Sequence, residues 1–291
     1  MLTSIVRYLR RFLGCEPAAS AARSPSGEDS QSTPGRLQLG WVTDVGQVRD
    51  HNEDTALVFT AVQDGDDEYP GFGLFVVADG MGGHRAGEVA SSLAARTAVH
   101  QITRQSYLPS LLGSERDASH PALTEVLIDA MQAANKAVSE DVPGSGTTLI
   151  CALVLGTQAY IAHVGDSRAY ALTDSGLEQI TQDHSIVERL IASGQLTREE
   201  AVDHPQRNVL YRAVGQSSTL EVETHVRKIR PGEYLLLCSD GLWDLVGDED
   251  IVDLIRAATS PQRACENLVA AANEAGGRDN ITAILWRSPL G

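Results

Sequence analysis

Long apolar runs are missing from this 291-residue chain. Nothing in it approaches the ~20 consecutive apolar residues of a membrane-crossing helix. Cysteine is scarce: Cys15, Cys151, Cys238 and Cys265 form no C-x-x-C pair, and two of them sit in apolar, strand-like runs. They read as reduced, buried thiols in a reducing compartment, which points to a cytoplasmic location. Positive charge is also short, with 23 Lys and Arg against 39 Asp and Glu, for a net charge of −16. So acidic a body repels nucleic-acid phosphates, so no nucleic-acid partner is expected. Internal repeats are lacking. What is present is ordinary for a globular protein: 42% apolar and 21% charged residues, in a length that suits one large domain or two small ones.

The first 36 residues differ from the rest. In MLTSIVRYLRRFLGC the apolar Leu2, Ile5, Val6, Leu9, Phe12 and Leu13 fall at helical spacing, interrupted by Arg7, Arg10 and Arg11. Those charges argue against a secretory signal or a lipoprotein signal, despite Leu13-Gly14-Cys15. A stretch rich in Ala, Ser, Pro and Gly follows to Pro34-Gly35 and reads as a linker. A basic amphipathic helix here could dock on a membrane surface or on a partner. The alternative is a frayed tail with no role.

Residues 37–291 read as one domain. Strands are expected at Leu57–Val62, Phe72–Ala78, Thr147–Leu155, Ala159–Val164, Ala169–Leu172, Glu221–Val226, Tyr234–Cys238 and Ile281–Trp286. Helices are expected at Gly87–Thr103, Leu123–Glu140, Asp248–Ala258 and Pro261–Ala272, the last with Pro261 placed at a helix start. Strands and helices come in blocks, which favours an α+β fold of antiparallel sheets flanked by helices.

Three apolar strands run into an aspartate beside glycine or serine: GLFVVADG at Asp79-Gly80, YIAHVGDS at Asp166 and YLLLCSDG at Asp240-Gly241. Asn52-Glu53-Asp54 precedes one strand, and Gly277-Arg278-Asp279-Asn280 precedes the last. Taken singly, Asp-Gly is a common turn. Several carboxylates held at the rim of a core would resist ionisation unless a cation neutralised them. Hard divalent ions such as Mg²⁺ or Mn²⁺ take such oxygen ligands. Gly80 would let a main-chain carbonyl approach a metal.

At these residues the sequence resembles the protein phosphatase 2C family of metal-dependent serine/threonine phosphatases. The pieces, in order from about Leu39 to Trp286, are Gly46-Gln47-Val48-Arg49 with Asn52-Glu53-Asp54, VADGMGGHRAGEVAS, SGTTL, HVGDSRAY, TQDHS, LCSDGLWD and GRDNIT. The form DGMGG resembles the bacterial branch. The resemblance implies a four-layer αββα sandwich with two Mn²⁺ or Mg²⁺ ions in a cleft at one end, and a third, looser ion. It implies that Asp79 bridges two ions, with the Gly80 carbonyl on one of them. Asp240 and Asp279 would complete the first ion's shell. Glu53 would hold the second ion mostly through water, and Asp54 would orient a metal-bound water. Asp166, with Asp240, would hold the third ion, and Arg49 would bind the substrate phosphate. The reaction would be attack of a metal-bridging water or hydroxide on the phosphorus of phosphoserine or phosphothreonine.

Many relatives carry His where this chain has Met81, and Met cannot donate a proton to the leaving alkoxide. The general acid is therefore open between a metal-bound water and His84. His51 and His163 read as structural. Residues 181–215 fit the family's flap, a segment beside the cleft, with a helix, a turn at Ser193-Gly194 and a second helix start at Thr197. The implied partners are phosphorylated proteins and an opposing serine/threonine kinase, with a monomeric enzyme as the expected state. Two other readings compete: a phosphoprotein-binding module on the same fold, and a phosphoesterase for small molecules. The intact carboxylate set argues against the first.

Overall fold

The computed structural model describes residues 38–61, 71–82, 85–111 and 121–289, all within the unit Pro34–Gly291. The N-terminal helix, the linker, Cys15 and His84 lie outside the described residues.

In chain order the elements are β1 (Gln38–Asp44), β2 (Asp54–Ala61), β3 (Phe72–Met81) and α1 (Ala86–Ile102). A π-helical turn, Thr103–Tyr107, follows, then α2 (Leu108–Leu111) and α3 (Leu123–Asp141). Next come β4 (Gly146–Thr147), β5 (Leu149–Leu155), β6 (Gln158–Val164), β7 (Arg168–Thr173) and β8 (Gly176–Gln179). After these are α4 (Ile186–Ala192), α5 (Arg198–Val202), β9 (Glu223–Lys228) and β10 (Tyr234–Cys238). The chain finishes with α6 (Asp240–Trp243), α7 (Asp248–Ala257), α8 (Pro261–Glu274) and β11 (Ile281–Arg287).

One sheet runs β1-β11-β10-β7-β8 and the other β2-β3-β5-β6-β9, with β4 paired to the end of β3. Every strand pairing is antiparallel. Side chains alternate across each strand, and here both faces are buried. On β3, Leu74, Val76 and Ala78 pack towards α1 and α3, while Phe75 and Val77 face the other sheet. On β10, Leu236 and Cys238 join the layer of α7 and α8, while Leu235 and Leu237 meet Phe75 and Trp286 between the sheets. Three apolar layers separate four structural ones, which is the expected αββα sandwich. Each fully buried Leu or Phe in these layers contributes roughly 1.5–3 kcal/mol relative to exposure.

The expected strands and long helices form, with ends shifted by a few residues. Two strands had no expectation, β1 and β8. A third difference concerns β3, which does not stop at Asp79 but continues to Met81, because Gly80 and Met81 pair with Thr147 and Gly146. Residues 181–215 contain the expected pair of helices. Ser185 caps α4, and Thr197 caps α5 reciprocally with Glu200. The chain turns between them at Gly194, where φ is +71°. Cys151, Cys238 and Cys265 are free and buried, as expected.

Antiparallel pairing fixes where the aspartates go. Asp54 at the start of β2 stands directly opposite Asp79 near the end of β3. Leu149 at the start of β5 pairs with Val164 at the end of β6, two residues before Asp166. Cys238 at the end of β10 pairs with Ala283 near the start of β11, so Asp240 and Asp279 flank that same end. The carboxylates are thus delivered to one end of the sandwich.

Candidate metal centre

A cleft of about 420 Å³ opens at that end, with Arg49, Glu53, Asp79, Gly80, Asp166, Asp240 and Asp279 in its wall. Asp54 lies just behind, buried, with its Oδ2 accepting a 2.7 Å hydrogen bond from Ser239 Oγ. The structure therefore brings together every site residue expected from the sequence.

Asp79, Glu53 and Asp166 are held by their main chains. The Asp79 N–H donates to Thr148 Oγ1 at 2.9 Å, and the Asp79 carbonyl accepts from Thr147 Oγ1 and the Thr148 N–H, both at 2.8 Å. The Glu53 carbonyl accepts from Ser91 Oγ at 2.6 Å and from the Gly80 N–H at 3.1 Å. The Glu53 N–H donates to Asn280 Oδ1 at 2.8 Å. Asn280 also donates to the carbonyls of Val45 and His51, so one side chain braces the whole loop carrying Arg49 and Glu53. Trp243 Nε1 donates to the Asp166 carbonyl at 3.0 Å.

Gly80 also has a packing reason, beside the one expected. A Cβ there would lie 2.2 Å from the Gly87 carbonyl oxygen and 2.7 Å from that of Glu53. A Cβ on Gly87 would in turn meet Glu53 Oε1 at 2.7 Å. The two glycines let the first turn of α1 press against β3 and Glu53.

The side-chain oxygens are a different matter. Glu53 Oε1, Asp54 Oδ1 and Asp240 Oδ1 are buried and have no hydrogen-bond partner in the structure. Burying a carboxylate oxygen without a donor costs about 1–3 kcal/mol, and more when it is charged. Like charges facing each other across a strand pair add to that cost. Burial pushes the Asp79 carboxyl well above its ordinary value, reinforced by Asp54, Asp240, Asp166 and Asp279. Asp240 moves the same way, through burial and then Asp166, Asp279 and Asp54. Asp166 is raised to about 7 by burial and by Asp183. Asp54 is raised to about 6, mainly by burial, although hydrogen bonds from Thr282 and Ser239 oppose the shift. Glu53 is raised by burial against the opposing charge of Arg49. Such a cluster fits hard divalent cations, which take carboxylate oxygens and supply the missing positive charge.

Arg49 stands at the rim, half exposed, with a guanidinium nitrogen 2.6 Å from Asp279 Oδ2. Met81 also lines the cleft, and Gln216 Nε2 donates to its sulfur at 3.5 Å. His163 is a core histidine, as expected, donating from Nε2 to the Gly165 carbonyl at 2.9 Å. His51 is exposed, and its carbonyl serves as an acceptor for Asn280. Thr148, Ser239, Asn280 and Trp243 were not singled out from the sequence. They act through bonds that span tens to hundreds of residues, although all four sit inside the quoted motifs.

An αββα sandwich with a cleft lined by carboxylates and one arginine at its end fits a divalent-cation enzyme acting on an anionic substrate. Comparison with known proteins agrees. Residues 46–274 match the family model described as Protein phosphatase 2C. The chain is 39% identical over 254 residues to the serine/threonine phosphatase stp of Listeria welshimeri, covering 84% of this chain and 92% of that one. The serine/threonine phosphatase PstP/Ppp of Mycobacterium tuberculosis superposes with a TM-score of 0.72 at 34% identity, covering 87% and 99%. A catalytic domain of PstP solved with two manganese ions superposes at 0.69 and 33% identity, covering 86% and 97%. The chain belongs to the protein phosphatase 2C family. It is a metal-dependent protein serine/threonine phosphatase.

Proposed function

We propose that the cleft binds two Mn²⁺ or Mg²⁺ ions and that its residues divide the work as follows. Asp79, the carboxylate most crowded by others, would serve both ions, with the Gly80 carbonyl, Asp240 and Asp279 as further ligands to the first. Glu53 would serve the second, and Asp166 with Asp240 would hold a third and looser ion. The unpartnered oxygens of Glu53, Asp54 and Asp240 are the observation that carries this reading. The manganese pair in the PstP neighbour supports it.

When bound, the ions supply a nucleophilic water of lowered pKa and neutralise the phosphoryl oxygens. Asp54 is fixed by Ser239 and stands next to Asp79, where it orients the attacking water. Arg49 offers a planar fork to two phosphate oxygens, leaving Asp279 to do so. Attack in line at phosphorus breaks the bond to the Ser or Thr oxygen and releases inorganic phosphate and the free hydroxyl. Met81 has no proton to give, so the leaving alkoxide is protonated by water in the open cleft.

Residues 37–291 act as the catalytic domain, with a flap at about 181–215, and the basic sequence of residues 1–36 serves to bring the enzyme to a membrane surface or partner. The enzyme acts as a cytoplasmic monomer and opposes a serine/threonine kinase. No helix among the described residues is long and apolar enough to cross a membrane. The residue assignments are tested by elemental analysis of Mn²⁺-saturated protein after Asp79→Asn. Loss of about two ions per chain with an intact fold is expected. Full retention of metal would overturn the assignment of Asp79.

A further inference from the structure

Beneath the flap, away from the carboxylates of the cleft, lies a second polar cluster: His163, His184 and Glu223. These three offer ligand atoms within 4.8 Å of one another, the spacing of a cation site. The hydrogen bonds exclude that use. The Gly165 N–H donates to His184 Nδ1 at 3.1 Å, so the ring proton sits on Nε2. That Nε2 lies 3.0 Å from Glu223 Oε2 and donates to it. The Arg212 guanidinium lies 3.1 Å from the same Nε2 and pairs with Glu221, so a second positive group already stands at this nitrogen. His225 Nε2 lies 2.8 Å from the other Glu223 oxygen.

The cluster grips one peptide instead. The Gly165 carbonyl accepts from His163 Nε2 at 2.9 Å and from the His184 N–H at 2.8 Å, while the Gly165 N–H is taken by the His184 ring. Both histidines are buried and their rings stack at 4.6 Å. Gly165 has φ +110°, a conformation L side chains rarely adopt, and a Cβ there would meet Thr148 at 2.6 Å. The next residue is Asp166. Its other neighbour, Ser167, bonds Thr148 Oγ1 at 2.7 Å, and that oxygen also receives the Asp79 N–H.

His184 is also where the flap joins the body. The Tyr211 N–H donates to the His184 carbonyl at 3.0 Å, and Ser185 bridges to Leu210, which lines the cleft. One residue therefore fixes the start and finish of the flap and the peptide that aims Asp166. Its side chain is in turn anchored by Glu223 on β9.

We propose that the Glu223–His184 pair is a positioning device that aims Asp166 at the third cation and couples that cation to the flap. This rests on the assignment of Asp166 made above. Partners that orient metal ligands typically change affinity by 10–100-fold when removed. Glu223 is not among the residues lining the cleft, so its effect should reach the cations through Asp166 and fall on one class of ion.

The test is calorimetric titration of Mn²⁺ into the full-length protein and into Glu223→Ala, Glu223→Gln and His184→Asn, with melting curves on each. The wild-type protein should show a tight class and a weaker class. In Glu223→Ala and His184→Asn the weaker class should lose about tenfold in affinity, with the tight class changed less than about twofold. Glu223→Gln keeps an acceptor for His184, so it should lose less and serves as the variant least able to disturb folding. Amide hydrogen exchange across residues 186–210 should slow on Mn²⁺ saturation in the wild type and not in Glu223→Ala. An unchanged weaker class in folded variants, or an equal loss in both classes, would overturn the proposal. A wild-type protein with a tight class only would remove the assignment of Asp166 itself, and this proposal with it.

Discussion

Replacing Asp54 by Asn should make the metal-free enzyme more stable while it cripples catalysis. Asp54 is buried and faces Asp79 across the β2–β3 pair. Burial raises its pKa from 3.8 to about 6 despite the hydrogen bonds from Thr282 and Ser239. A carboxyl raised in this way binds more protons folded than unfolded, so the free energy of unfolding falls as pH rises through that window. The penalty is absent below about pH 4 and complete above about pH 7. At ~1.4 kcal/mol per unit, a shift of about two units amounts to roughly 3 kcal/mol. Asn keeps an acceptor for Ser239 Oγ, now bonded at 2.7 Å, and its amide group replaces the unpartnered Oδ1 with a donor. For a domain of this size that gain corresponds to a rise in Tm of roughly 5–10 °C. Scanning calorimetry in EDTA at several pH values reads it directly. The gap between variant and wild type should be widest near pH 8 and close towards pH 4, and saturating Mn²⁺ should reverse the order. A variant less stable than wild type at pH 8 without metal would refute the electrostatic reasoning.

Three further outcomes follow from the same geometry. Gly80→Ala should cost about 1–3 kcal/mol and weaken Mn²⁺ binding, because its Cβ would drive against the Gly87 carbonyl 2.2 Å away; urea unfolding and metal titration check both. Mn²⁺ binding should release protons, since metal takes the ionised carboxylates. With Asp166 at about 7, Asp54 at about 6 and Asp79 and Asp240 raised as well, the release should be clear near pH 6 and decline as pH rises, as read by calorimetry in buffers of different ionisation heat. Removing residues 1–36 should leave turnover of a small phosphoester unchanged while altering membrane or partner binding; a deletion variant that fails to fold would place that segment in the core.

Much of this was legible in the sequence because the sandwich buries both faces of its central strands. β3, β5, β10 and β11 are built on near-continuous apolar runs, and the aspartates near the ends of β3, β10 and β11 stand out. β1 was not legible: QLGWVTD is an edge strand that leaves Trp41 half exposed and carries a glycine. Nor was β8, whose four residues, GLEQ, are partly or fully exposed. The supports of the site were hidden for another reason. Ser239 reaches Asp54 across 185 positions, and Asn280 reaches Glu53 across 227. Local periodicity carries no trace of such pairs. Gly80 shows the same limit: its position and the helix after it were both marked in the sequence, but the press of one on the other appears only in the fold.

The most direct test of the central claim is phosphate release from a phosphothreonine peptide by the wild-type protein and by Asp79→Asn, with Mn²⁺ and then with EDTA. The account predicts turnover that requires Mn²⁺, stops with EDTA, returns when Mn²⁺ is restored and is absent in the folded variant. Turnover that survives EDTA, or that Asp79→Asn retains at near wild-type rate, would contradict it.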